Sequence, residues 1–196
     1  MPSLGTVYGL NIASAIALPE LRAPVGDVAS PDLVITLDTI DPSALHAMRA
    51  IGPLSWASPT EIAFEVPGVA RYRISAGQRI VIDPQPGIDE ASLRLFLFGS
   101  ALAAVLLQRG LFLLHGCAVT IDGGACIAVG HSGVGKSTLA EGLRRRGFPV
   151  FADDVVAIDA NNHVLVGIPR IKLWDDVVAT LGPCGAETAA ARSGEV

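Results

Sequence analysis

Short apolar runs alternate with polar and turn-forming residues over the first 85 positions, which is the pattern of half-buried β-strands. The runs are TVYGLNI, DLVITL, EIAFEV, ARYRIS and QRIVID, and Pro, Gly and Asp residues separate them. The segment DPSALHAMRA differs, because Asp41 can cap a helix and Pro42 suits its first turn. Residues 1–88 are therefore predicted to form a β-rich N-terminal region that contains one short helix.

The apolar period changes at PQPGIDEASLRLFLFGSALAAVLLQRG. Asp89 can cap a helix, Glu90 places a carboxylate in the first turn, and Gly110 can close the far end. The most apolar run, Leu95 to Leu107, has 13 residues. A bilayer span needs about 20 residues. The pattern predicts one long helix buried inside the protein, and no membrane span.

Two apolar runs follow, LFLLHGCAVTI and ACIAVG, joined by a turn signal at Asp122-Gly123-Gly124. The second run leads into GHSGVGKST, after which KSTLAEGLRRRG reads as an amphipathic helix that ends at Gly147. A further apolar run, FPVFADDVVAID, comes next. Strand and helix thus alternate, which predicts an α/β core in a second domain, residues 89–196.

The segment GHSGVGKST fits the spacing G-x-x-x-x-G-K-[ST] of a phosphate-binding loop, and it has the strand before it and the helix after it that such a loop requires. Glycines let successive backbone N–H groups point at phosphates. The spacing predicts an ATP site formed by Gly130, His131, Ser132, Gly133, Val134, Gly135, Lys136, Ser137 and Thr138. Lys136 would reach the β and γ phosphates, and Ser137 would ligate Mg²⁺.

Two acids, Asp153 and Asp154, interrupt the apolar run after the helix. Burying a carboxylate is costly unless a cation, a metal or hydrogen-bond donors meet it. If their strand lies next to the strand of the phosphate loop, its C-terminal end lies beside the γ-phosphate. There a carboxylate can accept a hydroxyl proton or hold the metal. The alternative is a strand-end turn in which Asp154 caps a backbone group.

His115 is a third candidate, because its apolar strand precedes the hairpin and could return to the edge that carries the loop. The alternative is a buried histidine whose hydrogen bonds are satisfied in the core. The acids follow Lys136 by 17 and 18 residues (153 − 136 and 154 − 136), and the guanine-reading signature N-K-x-D is missing. These features favour a kinase over an ATP-driven motor or a GTPase switch.

Composition narrows the function classes. The net charge is −5 and the pI is about 5.3, so nothing draws the protein to nucleic acid or anionic lipid. The N-terminus lacks the features of a secretory signal, which predicts a cytoplasmic location. The three cysteines have no metal-binding spacing and are interpreted as small buried hydrophobic residues, or as incidental in the tail.

Four features in one order carry a resemblance to a known family: an H-G strand, a hairpin with a glycine-containing turn, G-x-S-G-x-G-K-S, and R-R-G followed by A-D-D. Together, over Leu111–Asp159, they resemble the catalytic domain of HPr kinase/phosphorylase and its serine-kinase relatives. The longer arrangement, which ends in IPRIKLW, is similar to the HPr-kinase-like proteins that phosphorylate lasso-peptide precursors. The resemblance implies a fold related to phosphoenolpyruvate carboxykinase, ATP with Mg²⁺ as cofactors, and phosphate transfer to a serine of a protein or peptide.

The same resemblance implies that His115, Asp153 and Asp154 are catalytic. One aspartate would accept the serine proton while the other orients His115 or the metal, and the sequence does not decide between them; Ser137 and Asp154 are the predicted metal ligands. The family's later E-I-R-G stretch is replaced by GIPRIKLWDDVVATLG, with basic Arg170 and Lys172 and the nearest acids at Asp175 and Asp176. The sequence therefore does not decide whether phosphorolysis occurs, and the two acids are predicted to begin a helix that ends at Gly182.

Two other functions remain open from the sequence. A small-molecule kinase of the shikimate-kinase type shares the loop and the spacing of the acids, although about 110 residues precede the loop here. A nucleotide-binding module without phosphate transfer is the other, because the small, polar segment PCGAETAAARSGEV contributes no further strand. A homo-oligomer that completes its site by association is a further alternative.

Overall fold

An eight-stranded sheet forms most of the N-terminal part of the chain. The computed structural model describes residues 3–24 and 30–168, and the backbone of 171–173 and 188–190. The protein is mixed α/β, and its chain divides into two compact units, Met1–Phe112 and Leu113–Val196.

The strands of the first unit are β1 (Ser3–Val7), β2 (Leu10–Ser14), β3 (Leu33–Leu37), β4 (Arg49–Gly52), β5 (Ser55–Ala57), β6 (Glu61–Val66), β7 (Ala70–Ser75) and β8 (Arg79–Pro84). They occur in the order β1-β2-β3-β8-β7-β6-β5-β4, with parallel pairing at β2–β3 and β3–β8 and antiparallel pairing elsewhere. The predicted β-rich region is confirmed. Strands β4 and β5 were not predicted, because they are short and their register is irregular near Gly52.

The predicted short helix is α1 (Pro42–His46). Its cap is the expected one, since Oδ1 of Asp41 accepts a hydrogen bond from the backbone N–H of Ser43 at 2.9 Å. Leu45 is buried in a cluster with Ile40 and Trp56, which anchors the helix to the sheet.

The predicted long helix consists of α2 (Glu90–Phe96), a π-helical segment (Leu97–Ala101) and α3 (Leu102–Gln108). Asp89 caps it as expected, with Oδ1 accepting from the N–H of Ser92 at 2.9 Å. The expectation that it is buried holds for one side only. The opposite side is open, with Leu95 45% and Leu107 54% exposed.

This helical segment belongs to the first unit. The hydroxyl of Tyr72 donates to the carbonyl of Leu93, and Nε2 of Gln108 donates to the carbonyls of Thr60 and Ile74. The division therefore falls after Phe112 instead of after residue 88. A change in apolar period marks a new element, but it does not reveal which sheet that element packs against.

The whole helical segment is longer than the 13-residue apolar run that it contains. Glu90–Gln108 spans 19 residues with a mean hydropathy of 1.7 in its most apolar window, which is enough to cross a membrane by length and composition. In that window 39% of the residues are buried. A helix in the core of a soluble protein passes the same test, so length and hydropathy do not distinguish a membrane span from such a core helix.

The second unit contains β9 (Phe112–Ile121), β10 (Gly124–Val129), α4 (Lys136–Arg145) and β11 (Val150–Ile158), with its sheet in the order β10-β9-β11. Two short strands, β12 (Ile171–Leu173) and β13 (Thr188–Ala190), pair in parallel. Strand β13 lies in PCGAETAAARSGEV, so the prediction that this segment contributes no strand is wrong. The predicted hairpin is confirmed, because Ile121 pairs with Gly124 across a turn in which Asp122 and Gly123 both have positive φ.

Helix α4 ends as the sequence predicts. The N–H of Gly147 donates to the carbonyl of Arg144, and the N–H of Phe148 donates to that of Leu143, which closes the helix in a Schellman motif. Arg144 and Arg145 lie at the negative end of the helix dipole, and they also form ion pairs. Both guanidinium groups lie 2.7 Å from the carboxylate of Glu141, which is completely buried.

One predicted neighbour relation is wrong. The strand of the acids does not lie next to the strand of the loop, because the hairpin places β9 between β10 and β11. Asp153 and Asp154 are also in the interior of β11 and not at its end. The predictions for Arg170, Asp175, Asp176, Gly182, Cys184 and the side chain of Lys172 fall outside the described residues.

Candidate functional site

The segment between β10 and α4, which we call the glycine loop (Gly130–Gly135), is exposed throughout. Gly133 has φ 82° and Gly135, the cap of α4, has φ 92°, values that side chains rarely permit. No atom lies within 4 Å of where a Cβ would stand at either glycine. The loop is thus an open turn over the N-terminus of a ten-residue helix, where N–H groups can meet an anion.

Lys136 is the first residue of α4, and its side chain turns back over the glycine loop. Its Nζ donates to the carbonyl of Gly130 at 2.8 Å and to that of His131 at 2.9 Å. The positive charge therefore sits at the opening of the loop. His131, Ser132 and Val134 are exposed, and Thr138 is half-buried in the first turn of the helix.

Ser137 and Asp153 meet next to the loop. The hydroxyl of Ser137 donates to Oδ1 of Asp153 at 3.3 Å, and Asp153 is only 8% exposed. A hydroxyl and a carboxylate are oxygen ligands of the kind that Mg²⁺ prefers. The sequence predicted Ser137 and Asp154 as metal ligands, whereas the carboxylate in contact with Ser137 is that of Asp153.

Asp154 instead faces His115 of β9. Nδ1 of His115 lies 3.2 Å from Oδ1 of Asp154 and 3.0 Å from its backbone oxygen. Asp154 has φ 74°, whereas an extended strand needs a negative φ. The two consecutive acids thus have different partners, Ser137 for Asp153 and His115 for Asp154.

The pair of His115 and Asp154 is open to solvent. Their side chains are 56% and 33% exposed, so the contact adds little to folding stability. An accessible carboxylate held by an imidazole in a strained strand is the arrangement expected of a group that acts on a ligand.

Cys117 lies two residues after His115 and therefore on the same side of β9. Its thiol donates to the carbonyl of Lys136 at 3.4 Å, which joins the strand to the start of α4. Burial, together with the negative charge of Asp153, raises the pKa of the Cys117 thiol. The prediction of a buried cysteine holds at Cys117 and fails at Cys126, which is exposed.

Gly116, between His115 and Cys117, is a sterically constrained position whose role the sequence did not reveal. A Cβ there would stand 2.5 Å from the carbonyl oxygen of Ala128 in β10. That distance is shorter than any real contact, so a side chain would push apart the two strands that carry His115 and the glycine loop. The sequence contains His115-Gly116 as part of the family resemblance, but the need for glycine at this position follows only from the register of the hairpin.

Gly116→Ala is expected to lower the free energy of unfolding by about 1–3 kcal/mol, the usual range for overpacking. Gly124→Ala in the same hairpin is the matched control, since its Cβ would lie at an ordinary 3.6 Å from the carbonyl of Ile121. It should change stability by less than about 0.5 kcal/mol. Urea unfolding of both variants measures this, and equal stabilities would contradict the close approach.

The part of the chain that the structure describes contains no metal site made by protein side chains alone. Among the described residues, no group of three or more His, Cys, Asp or Glu side chains could hold a metal ion. Kinases bind Mg²⁺ with few protein ligands, because phosphate oxygens and water complete the shell. Ser137 and Asp153 fit a metal that arrives with a nucleotide.

A cavity of about 540 Å³ lies in the first unit and is lined by Pro31, Asp32, Val34, Ser75, Ala76, Gln78, Arg79 and Arg109. None of the predicted site residues belongs to this set.

Comparison of the chain with protein-family models, curated proteins and solved structures gave no significant match. The function is therefore argued from geometry, and the resemblance to HPr kinase/phosphorylase stays a prediction.

Proposed function

We propose that the chain is an ATP-dependent kinase that transfers the γ-phosphate to a serine of a protein or peptide, on a phosphate-loop core of the HPr kinase type. The proposal rests on one observation: two consecutive acids have different partners. Asp153 contacts Ser137, and Asp154 contacts His115. A protein that only binds nucleotide needs the first contact. The second supplies an accessible base that only a transfer reaction requires.

The nucleotide would bind at the glycine loop. Its polyphosphate fits the open turn at Gly133 and Gly135 and the helix N-terminus beneath it. Lys136 would exchange its two loop carbonyls for phosphate oxygens, which accept a stronger, charge-assisted hydrogen bond. Mg²⁺, when bound, neutralises phosphate charge and orients the γ-phosphate. Ser137 and Asp153 would hold it.

Asp154 would act as the base. It accepts the proton of the serine hydroxyl while the serine oxygen forms its bond to the γ-phosphorus. The bond from that phosphorus to the β–γ bridging oxygen breaks, and ADP leaves. His115 positions the carboxylate through its Nδ1 contact at 3.2 Å. Asp153 is a poorer base, because it is nearly buried and its Oδ1 accepts from Ser137.

The test is incubation of the protein with γ-labelled ATP, Mg²⁺ and a serine-containing peptide library, with the same library carrying alanine for serine as control. Label on serine peptides alone supports the proposal. Label on a small metabolite added in place of the library would point to a small-molecule kinase. ATP binding without transfer to either would overturn the proposal in favour of a nucleotide-binding module.

A further inference from the structure

The free edge of strand β10 differs from the edges formed by β1, β4 and β11. The edge of β1 is bridged by Arg22, whose carbonyl accepts from Thr6 at 2.8 Å. The outer side of β11 bonds to the segment 165–168 through contacts such as Gly167 N–H to Phe151 O at 2.9 Å. Strand β4 is irregular and carries Arg49. Native proteins protect edges in these ways against unwanted pairing.

Strand β10 has none of these protections. Its sequence, GACIAV, contains no charge and no proline, and it pairs regularly with β9 along its whole length. Its first three residues are exposed, and Val129 at its end is 58% exposed. A regular, uncharged and accessible edge is a template for another strand.

The register shows which backbone groups point outward. Gly124 pairs with Ile121 across the two-residue turn, so alternate residues from Gly124 bond to β9 and the three between them point away. The outward residues are Ala125, Ile127 and Val129. Thr120, the partner of Ala125, donates its N–H to Pro149 on the far side of β9, as this alternation requires. In the described part of the chain, no hydrogen bond reaches the outward groups of β10.

We propose that this edge binds an extended segment of the serine-bearing acceptor as an added, fourth strand of the sheet. The inference rests on the proposed function and names how its substrate is held. Strand β10 leads directly into Gly130, so a segment bound along it begins or ends at the glycine loop. Recognition would come from main-chain hydrogen bonds, with little demand on the side chains of the acceptor.

The size of the edge favours a substrate over a second copy of the chain. Three outward residues offer one N–H and one C=O each, six groups in all (3 × 2). That suits a segment that binds weakly and leaves after reaction. Stable dimers usually bury about 1,200–2,000 Å², which a single six-residue edge does not provide.

The strand order also predicts where the serine stands in the acceptor. The added strand would be three strand spacings from β11, which carries Asp154, because β10 and β9 lie between. Three spacings of about 4.8 Å make roughly 14 Å, the length of four or five extended residues. The serine is therefore expected four or five residues beyond the bound segment.

The test uses a fluorescein-labelled peptide in which six alternating threonines and valines are followed by four glycines and an alanine in place of serine. Its affinity is measured by anisotropy without ATP for the wild type, Ala125→Pro and Ala125→Thr. Proline removes an outward N–H without breaking the ladder to β9, whereas threonine keeps it. We expect binding to the wild type and Ala125→Thr, and at least about tenfold weaker binding to Ala125→Pro.

A second measurement leaves the protein unchanged. Two peptides N-methylated at alternate residues of the six-residue run, in the two possible phases, should differ, because only one phase faces β10. Equal affinities, no binding to the wild type, or full binding to Ala125→Pro would overturn the proposal. So would a wild-type dimer that Ala125→Pro converts to monomer, since the edge would then belong to a second copy.

Failure of this inference is distinguishable from failure of the proposed function. Peptide binding at β10 without phosphate transfer to the serine version would refute the kinase and leave the docking edge in place. Transfer to serine peptides at the same rate in the wild type and in Ala125→Pro would refute the docking edge and leave the kinase in place.

Discussion

Asp154→Asn is expected to slow phosphate transfer to serine by more than about 100-fold, because an amide cannot accept the hydroxyl proton. ATP affinity should stay within about twofold, since the carboxylate at Ser137 is that of Asp153. Single-turnover transfer and nucleotide binding, measured on the same preparation, separate the two effects. Turnover near the wild-type rate would remove Asp154 from the reaction.

The substitution preserves the local backbone. Asparagine adopts positive φ at least as readily as aspartate, so the φ of 74° at residue 154 is not disturbed. The contact from His115 to the backbone oxygen also remains available. Asp122→Asn is the matched control, because Asp122 is another aspartate with positive φ and lies in the exposed hairpin turn. It should leave the rate of transfer unchanged.

Asp153→Asn is the informative comparison. It should raise the Mg²⁺ concentration required for half-maximal rate, because one metal-binding oxygen is exchanged for a weaker, uncharged ligand. The same Mg²⁺ requirement in both aspartate variants would contradict the division of roles between them.

Lys136→Ala is expected to weaken ATP binding by at least about 100-fold, since it removes the cation at the opening of the glycine loop. Alanine is a good helix former, so α4 should still begin at residue 136. Isothermal titration with ATP and Mg²⁺ gives the affinity, and thermal unfolding checks the fold.

Arg146→Ala provides the control for charge. It removes a cation from the other end of α4, where Arg146 is exposed and does not touch the loop. Its ATP affinity should remain within about twofold of the wild type. A similar loss in both variants would mean that the net charge, and not the contact at the loop, governs binding.

Local signals in the sequence predicted the elements around the site. The turn at Asp122-Gly123, the strand before the glycine loop and the helix after it each depend on neighbours in sequence, and all three are found. The caps at Asp41 and Asp89 belong to the same class. These features need only short-range geometry, which the amino-acid pattern encodes directly.

Features that depend on pairing between distant segments escaped prediction. The hairpin places β9 between β10 and β11. The acids of β11 are therefore separated from the strand that leads into the glycine loop by one strand, instead of lying on the adjacent strand. The contact of Asp153 with Ser137 joins residues 16 positions apart, and no residue pattern specifies which of two consecutive acids makes it. Gly116 is comparable, because its lack of a side chain matters only against Ala128.

The π-helical segment between α2 and α3 sets which side of α3 faces the sheet of the first unit. Such a segment amounts to one residue inserted into an α-helix, which rotates the following turns by about 100°. Gln108 thereby reaches Gly77, Thr60 and Ile74. Deleting a single residue from Leu97–Ala101 would leave a regular helix that starts in the same place and presents the wrong side to the sheet, so this short stretch cannot vary in length even where it can vary in composition.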